Sequence, residues 1–128
     1  MSALTEIVQK INAAWDSKDE ATMREYLHED YRFRGPMMEI NNVDECIEFM
    51  KSCPFEGGSE NVEMITEGNR VVQVMDWVVT TPFQATISIV EIIDFEGEKV
   101  KNSRMFFDTA AFPAEFIAQM EEMNKNAA

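Results

Sequence analysis

The sequence predicts an α+β fold in which helices pack on one face of a bent antiparallel sheet. Segments with helical spacing come first in the 128-residue chain, and four segments with strand-like alternation follow. Runs of helices followed by runs of strands are typical of this class, because neither layer buries its apolar face alone. The longest predicted feature is a hairpin of Phe83–Phe95 and Val100–Asp108, with a tight turn at Gly97-Glu98.

Three helices are predicted before these strands. The first covers residues 3–16, whose apolar side chains recur at helical spacing. Asp19 is suited to cap a second helix from Glu20 to Leu27. Asn42 and Glu45 resemble a capping box that opens a third helix.

The remaining elements are strands and a final helix. A short strand, Tyr31–Arg34, precedes the third helix, and residues 55–61 are expected to form a loop after it. Asn61–Glu67 and Arg70–Thr80 are the next strands, and a C-terminal helix starts at Phe112-Pro113. No repeat or linker is visible, so residues 1–128 are interpreted as a single domain.

Composition excludes several classes of function. The formal net charge is −13, from 24 acidic and 11 basic residues, and such a field repels nucleic acids and anionic membranes. No apolar run reaches the ~18–20 residues of a spanning helix, and no signal peptide is visible, so a cytoplasmic location is expected. Cys46 and Cys53, seven apart in a helix-like segment, are expected to be reduced core thiols. The ligand clusters of a metal site are absent, and no metal or other cofactor is predicted.

Glu91 is the sharpest candidate for a functional residue. It shares one strand face with Ala85, Ile87, Ile89, Ile93 and Phe95. A buried carboxylate needs a partner, and the two-residue turn places Arg104 directly across from it. The pair is either a catalytic or ligand-anchoring site, or a structural ion pair.

Two aspartates are further candidates. If Thr81-Pro82 is a two-residue loop, Asp76 faces Ile87 and lies on the same sheet face as Glu91. A register one residue different turns Asp76 outward and brings Trp77 inward. Asp108, at the end of the last strand, is either a turn or cap residue or a catalytic acid.

Apolar residues indicate a pocket and a dimer surface. Large side chains that could line a pocket, or simply form the core, are Trp15, Phe33, Met37, Phe49, Phe55, Ile89 and Phe106. The opposite sheet face is predicted to carry a patch that pairs two copies of the chain: Met75, Trp77, Met105 and Phe107.

The order of local signatures across residues 4–110 resembles the nuclear transport factor 2-like superfamily, in its SnoaL-like and ketosteroid-isomerase-like branch. The matching segments are Ile11–Trp15 with Asp19, Tyr26–Asp30, Tyr31–Pro36, Gly97–Val100 and Met105–Asp108. The resemblance implies a cystatin-like α+β cone, with three N-terminal helices on a strongly bent antiparallel sheet, a pocket at the open end and dimers formed through the sheet.

Only some of the catalytic residues of that branch have a counterpart in this sequence. The resemblance places an acidic oxyanion-hole residue at Glu91, but its tyrosine donor position holds Ile11 and its general-base position holds Gly35. An arginine of the limonene-epoxide type of hydrolase would stand at Ile89, and Asp108 loosely matches an acid of the cyclase branch. The resemblance therefore supports a fold more than a particular reaction.

Two functions are consistent with these residues. One is a cofactor-independent isomerase, cyclase or hydratase acting on a small apolar carbonyl or hydroxyl compound. In it Glu91 and Asp76 transfer protons and Arg104 steadies an oxyanion. The alternative is a non-catalytic ligand-binding or dimeric interaction module of the same fold.

Overall fold

The computed structural model describes residues 3–127, and of residues 123–127 only the backbone. Two helices, α1 (Ala3–Ser17) and α2 (Glu20–Tyr26), lead directly into the sheet. The remaining elements, in chain order, are β1 (Leu27–Arg34), β2 (Glu39–Ile40), α3 (Val43–Ser52), β3 (Glu56–Glu67), β4 (Arg70–Thr81), β5 (Ala85–Glu96), β6 (Lys99–Phe106), a 3₁₀ turn (Thr109–Ala111) and α4 (Ala114–Ala127).

The predicted helix starts are confirmed by their capping hydrogen bonds. The Asp19 carboxylate accepts from the Thr22 amide at the start of α2. Asn42 Oδ1 accepts from the Glu45 amide at 2.9 Å at the start of α3, while Glu45 Oε2 accepts from the Asn41 amide at 2.7 Å. These bonds satisfy N–H groups that a helix leaves without intrahelical partners.

The sheet has six strands in the order β2-β1-β6-β5-β4-β3 and is open rather than closed into a barrel. The α+β class is confirmed, and the four long strands β3 to β6 are antiparallel as predicted. The sheet as a whole is mixed, because β1 runs parallel to β6. β1 starts at Leu27 and β3 at Glu56, so the predicted end of the second helix and the loop at residues 55–61 are partly strand. Residues 57–59 pair with β4 despite two glycines, since that pairing satisfies their backbone groups.

The central hairpin has the predicted turn but a different register beyond it. Phe95 pairs with Val100 and Glu96 with Lys99, as the turn at Gly97-Glu98 requires. Asp94 then pairs with Asn102, which leaves Lys101 as the extra residue of a β-bulge. Every later residue of β6 therefore faces the opposite way from the prediction.

The β4–β5 register also differs by one residue. The last cross-strand pair is Val79 with Ala85, so the connection is longer than the predicted two-residue loop. Trp77 consequently pairs with Ile87 and Asp76 with Ser88. A one-residue change reverses which face each side chain occupies, and Trp77 rather than Asp76 points into the fold.

The core lies between the helices and one face of the sheet. One buried cluster joins α1, α2 and α3 to the hairpin, with Val8, Ile47, Val71 and Val100 almost fully covered. A second cluster joins the other end of the sheet to the C-terminal segment. Within residues 3–127, no helix has both the length and the apolar character needed to cross a membrane.

Candidate functional site

A cavity of about 180 Å³ lies between the helices and the inner face of the sheet, and residues of both core clusters line it. Its wall is mostly apolar, with aliphatic side chains from β4 and β5 and aromatic ones from α1, β1 and α3. An apolar cavity of about 150 Å³ holds benzene. The cavity therefore has room for a molecule of one ring with a few substituent atoms.

Glu91 of β5 is the acidic group inside this cavity. Its neighbours along the strand face, Ile89 and Ile93, are buried, as predicted. Burial raises the pKa of Glu91 to about 7, and a hydrogen bond from Gln73 opposes that rise. A carboxyl with this pKa is present in both protonation states near neutral pH, which suits it to give and take a proton.

The hydrogen-bond partner of Glu91 is Gln73, its direct neighbour on β4. Gln73 is fully buried, and its Nε2 donates to Glu91 Oε1 at 2.7 Å. Asn12 of α1 completes the group, because its Nδ2 donates to Gln73 Oε1 at 2.9 Å. Three polar side chains from three elements thus meet at the wall of an otherwise apolar cavity.

Tyr31 and Cys46 lie beside this group. Burial raises the pKa of the Tyr31 phenol well above its usual value, the nearby Cys46 and Glu91 charges add to the rise, and a hydrogen bond with Ser103 opposes it. Burial, with the Glu91 charge second, raises the pKa of the Cys46 thiol to about 12. Both groups are neutral at physiological pH, and Cys46 and Cys53 are buried free thiols, as predicted.

Sequence reasoning missed Asn12, Gln73, Tyr31 and Ser103. The signal for Gln73 was available, since it interrupts the apolar alternation of Val71 and Met75 just as Glu91 interrupts its own strand. Asn12 similarly lies one helical turn from Val8 on the buried stripe of α1. The predicted β4 register assigned Gln73 to the outer face and so concealed it.

The predicted Glu91–Arg104 pair does not exist. The bulge at Lys101 places Met105 opposite Glu91, while Arg104 pairs with Ile92 on the outer sheet face and is exposed. A guanidinium on that face cannot steady charge in the cavity. Glu91 and Arg104 therefore form neither a functional pair nor a structural ion pair.

The two aspartates also lie outside the cavity. Asp76 is on the outer face, where its carboxylate accepts hydrogen bonds from Asn61 Nδ2 at 3.0 Å and Ser88 Oγ at 3.1 Å. Asp108 caps the 3₁₀ turn by accepting from the Ala110 amide at 2.9 Å. The prediction that Asp76 shares a face with Glu91 is wrong, and Asp108 is a cap residue.

Most of the predicted pocket residues do line the cavity. These are Trp15, Phe33, Met37, Phe49, Phe55 and Ile89. Phe106 is the exception, because the bulge in β6 turns it to the outer face, where it is 52% exposed.

The residues assigned to an outer dimer patch are on the inner face instead. Met75, Trp77, Met105 and Phe107 all line the cavity, so the predicted patch is wrong. Three of the apolar side chains that the outer face exposes form a row across three strands: Val74, Val90 and Phe106.

Aromatic rings attach the C-terminal segment to the cavity wall. Phe55 contacts Trp77, Phe83, Phe112 and Phe116, with ring centroids 5.5–5.8 Å apart. These residues come from β4, the β4–β5 connection and the chain after β6, so the contacts bring distant segments together. Phe112 and Met120 thereby become part of the cavity lining.

Metal binding finds no support in the part of the chain that the structure describes. Among those residues, no three His, Cys, Asp or Glu side chains are grouped as metal ligands.

Helices packed on an open six-stranded sheet in this arrangement are consistent with the cone fold of the nuclear transport factor 2-like proteins. The family model for the SnoaL-like domain matches residues 8–103, which include Glu91, Gln73 and Asn12 and most of the cavity lining. The chain therefore belongs to the SnoaL-like domain family.

Solved structures of the same fold are similar over nearly the whole chain. TerC, crystallised with polyporic acid, is 22% identical with a TM-score of 0.76, and the match covers 91% of this chain and 99% of TerC. An LEH-like epoxide hydrolase of M. tuberculosis is 11% identical with a TM-score of 0.75, over 97% and 92% of the two chains.

An NTF2-like protein of unknown function from Burkholderia pseudomallei is 22% identical with a TM-score of 0.72, and the match covers 94% of this chain and 98% of that protein. At these identities the likeness establishes the fold alone. No curated protein matches the chain.

Proposed function

We propose that the protein binds a small, largely apolar molecule bearing a carbonyl or hydroxyl group and catalyses a cofactor-independent proton transfer on it. Glu91 is the acid–base group, and the reaction class is that of an isomerase, cyclase or hydratase. The observation that carries the proposal is a carboxyl with a pKa of about 7 inside an apolar cavity. Asp76 and Arg104 have no part in it.

The volume of the cavity and the polarity of its lining both fit this substrate class. About 180 Å³ accommodates one substituted ring. Apolar walls hold the body of such a molecule, while its oxygen finds a hydrogen-bonding partner at Glu91 and nearby Tyr31. The neutral Tyr31 hydroxyl is suited to stabilise negative charge that develops on a substrate oxygen.

Cyclohex-2-enone, a ring of this size with a carbonyl, is a direct probe of proton transfer. Incubated with the protein in D₂O, it is expected to lose protons beside the carbonyl faster than in buffer, as followed by ¹H NMR. The rate should rise with pH as Glu91 ionises and level off above its pKa of about 7. Glu91→Gln should lower the rate by about 100-fold or more.

Asp76→Asn is the matched control, because that carboxylate lies on the outer face. This variant should accelerate proton exchange in cyclohex-2-enone as much as the unmodified protein does. Chemical-shift changes at cavity residues without accelerated exchange would favour the alternative, a ligand-binding module without catalysis. A protein that binds neither cyclohex-2-enone nor p-cresol, a ring of similar size with a hydroxyl group, and does not accelerate proton exchange would contradict the proposed substrate class.

We further propose that two copies pair through the outer sheet face. Val74, Val90 and Phe106 are neighbours across β4, β5 and β6, and 41%, 37% and 52% of their surfaces are exposed. Such a row is costly to leave in water and suits a two-fold contact in which the same surface meets itself.

Phe106→Glu is expected to convert the dimer into a monomer, because it puts a charge in place of the most exposed side chain of the apolar row. Light scattering coupled to size exclusion measures the mass. Gln84→Glu adds the same charge in the exposed β4–β5 connection and should leave the dimer intact. A monomeric unmodified protein at concentrations of tens of micromolar would rule out this pairing.

A further inference from the structure

The two carboxyl oxygens of Glu91 have different surroundings. Oε1 accepts the 2.7 Å hydrogen bond from Gln73 Nε2. No buried side-chain oxygen or nitrogen in the described part of the chain lacks a hydrogen-bond partner. Because Glu91 lines the cavity and its hydrogen bond uses Oε1, Oε2 is the oxygen open to the cavity. A ligand would therefore meet Oε2.

Gln73 is itself held in place by Asn12. Gln73 Oε1 accepts from Asn12 Nδ2 at 2.9 Å, and Gln73 Nε2 also donates to Asn12 Oδ1 at 3.3 Å. The two amides thus form a paired ring of hydrogen bonds. Both hydrogens of the Gln73 NH₂ group are used, one toward Asn12 and one toward Glu91. The pairing holds the plane of the Gln73 amide in line with the Glu91 carboxyl.

An N–H donor at Oε1 affects where a proton sits on Glu91. A protonated carboxyl has one carbonyl oxygen, which accepts hydrogen bonds, and one hydroxyl oxygen, which donates. The oxygen that already accepts from Gln73 is favoured as the carbonyl, since a hydroxyl there would direct its hydrogen at an N–H donor. The hydroxyl is then Oε2.

We propose that Gln73 and Asn12 are positioning residues, which together direct the proton of Glu91 to Oε2, the oxygen that faces the cavity. Gln73 acts on Glu91 directly, and Asn12 acts through Gln73. Only the destination of the proton, a ligand oxygen or carbon, rests on the function proposed above. In the reverse step, Oε2 of the ionised Glu91 takes a proton from the ligand.

Among the described residues, four ionisable groups besides Glu91 line the cavity. They are Asp16 at the end of α1, Tyr31 on β1, Cys46 on α3 and Cys53 after it. Burial raises the pKa of each of these four groups. Tyr31 and the two thiols are therefore neutral across the range in which Glu91 titrates, and the signals that Glu91→Gln removes distinguish Glu91 from the Asp16 carboxyl.

Infrared difference spectroscopy between pH 5 and pH 9 tests the assignment without any ligand. The C=O stretching band that Glu91→Gln removes identifies protonated Glu91. If Oε1 is the carbonyl, the hydrogen bond from Gln73 lowers the band's frequency, and Gln73→Met, which keeps length but cannot donate, raises it. If the proton were on Oε1, the band would already lie at the frequency of a free carbonyl and Gln73→Met would leave it unchanged.

The pKa of Glu91, measured by ¹³C NMR of glutamate-labelled protein, is the second readout. Gln73→Met should raise it by about one pH unit, because the lost hydrogen bond favours the carboxylate. Asn12→Leu should raise it by a smaller amount, since Gln73 stays but is no longer held. Gln9→Leu, on the exposed side of α1, is the control and should change neither readout.

The outcomes separate this proposal from the proposed function. An unchanged band and an unchanged pKa in Gln73→Met would overturn the positioning role, whatever the exchange assay shows. If Gln73→Met does not fold, Asn12→Leu at the partly exposed helix position supplies the same test. The expected shifts without accelerated proton exchange would keep the positioning role and reject catalysis on the carbonyl probe.

Discussion

Glu91→Gln is expected to make the protein more stable at alkaline pH, by roughly 3 kcal/mol in the free energy of unfolding at pH 8. The pKa of Glu91 is about 7 in the folded protein and near its ordinary value of 4.5 when unfolded. A raised pKa means that the folded state prefers the protonated form. Its contribution is therefore fully favourable below pH 4.5 and is lost as the pH rises through 7. Gln cannot ionise and escapes that loss.

Urea unfolding at pH 4.5, 6 and 8 measures this difference. The variant and the unmodified protein should be nearly equal at pH 4.5 and diverge with increasing pH. Asp76→Asn, which alters a carboxylate on the outer sheet face, should show no such divergence. A Glu91→Gln variant that is less stable at pH 8 would show that the ionised carboxylate is well accommodated, and would remove the basis for its role as a proton-transfer group.

Gly57→Ala is expected to lower the free energy of unfolding by roughly 2–4 kcal/mol. A Cβ at residue 57 would lie 1.9 Å from the Val78 carbonyl oxygen and 2.9 Å from its carbon. These are backbone atoms of β4, which cannot turn aside as a flexible side chain does. β3 would have to separate from β4 at this point and carry with it the adjacent Phe55, whose ring holds the C-terminal segment to the cavity.

Gly58→Ala is a closely matched comparison for that prediction. The same methyl group is added one residue later in the same strand, where nothing lies within 4 Å of the new Cβ. Its free energy of unfolding, measured by urea denaturation, should stay within about 0.5 kcal/mol of that of the unmodified protein. If both substitutions lowered the free energy of unfolding equally, the close approach of β3 to β4 would not be the reason that residue 57 is glycine.

Local chemistry accounts for the parts of the fold that could be predicted. The helices follow from apolar residues at helical spacing, and Asp19 and Asn42 cap α2 and α3 because their side chains reach amide groups within three residues. The hairpin turn follows from Gly97, whose φ of 64° is costly for other residues. Each of these interactions involves residues close in sequence, so a short window contains all the information needed.

Pairings between strands were predicted less well. β1 alongside β6 joins residues about seventy positions apart, and no local pattern marks which strand a short segment will adjoin. The bulge at Lys101 carries no distinctive residue, yet it moved Arg104 and Phe106 to the outer face. A longer β4–β5 connection did the same to Asp76 and placed Trp77 inside. Two one-residue differences thus account for all the misplaced site residues on the strands.

The sequence alone determined that this chain forms a helix-covered sheet with Glu91 on an otherwise apolar strand face, because side-chain alternation within one strand is a local property. Only the tertiary structure decided what stands around Glu91: a Gln73–Asn12 amide pair instead of a guanidinium. The physical reason is that the partner of a side chain across a sheet depends on register. Register is set by bulges, turn lengths and packing over the whole sheet, and a shift of one residue exchanges its two faces.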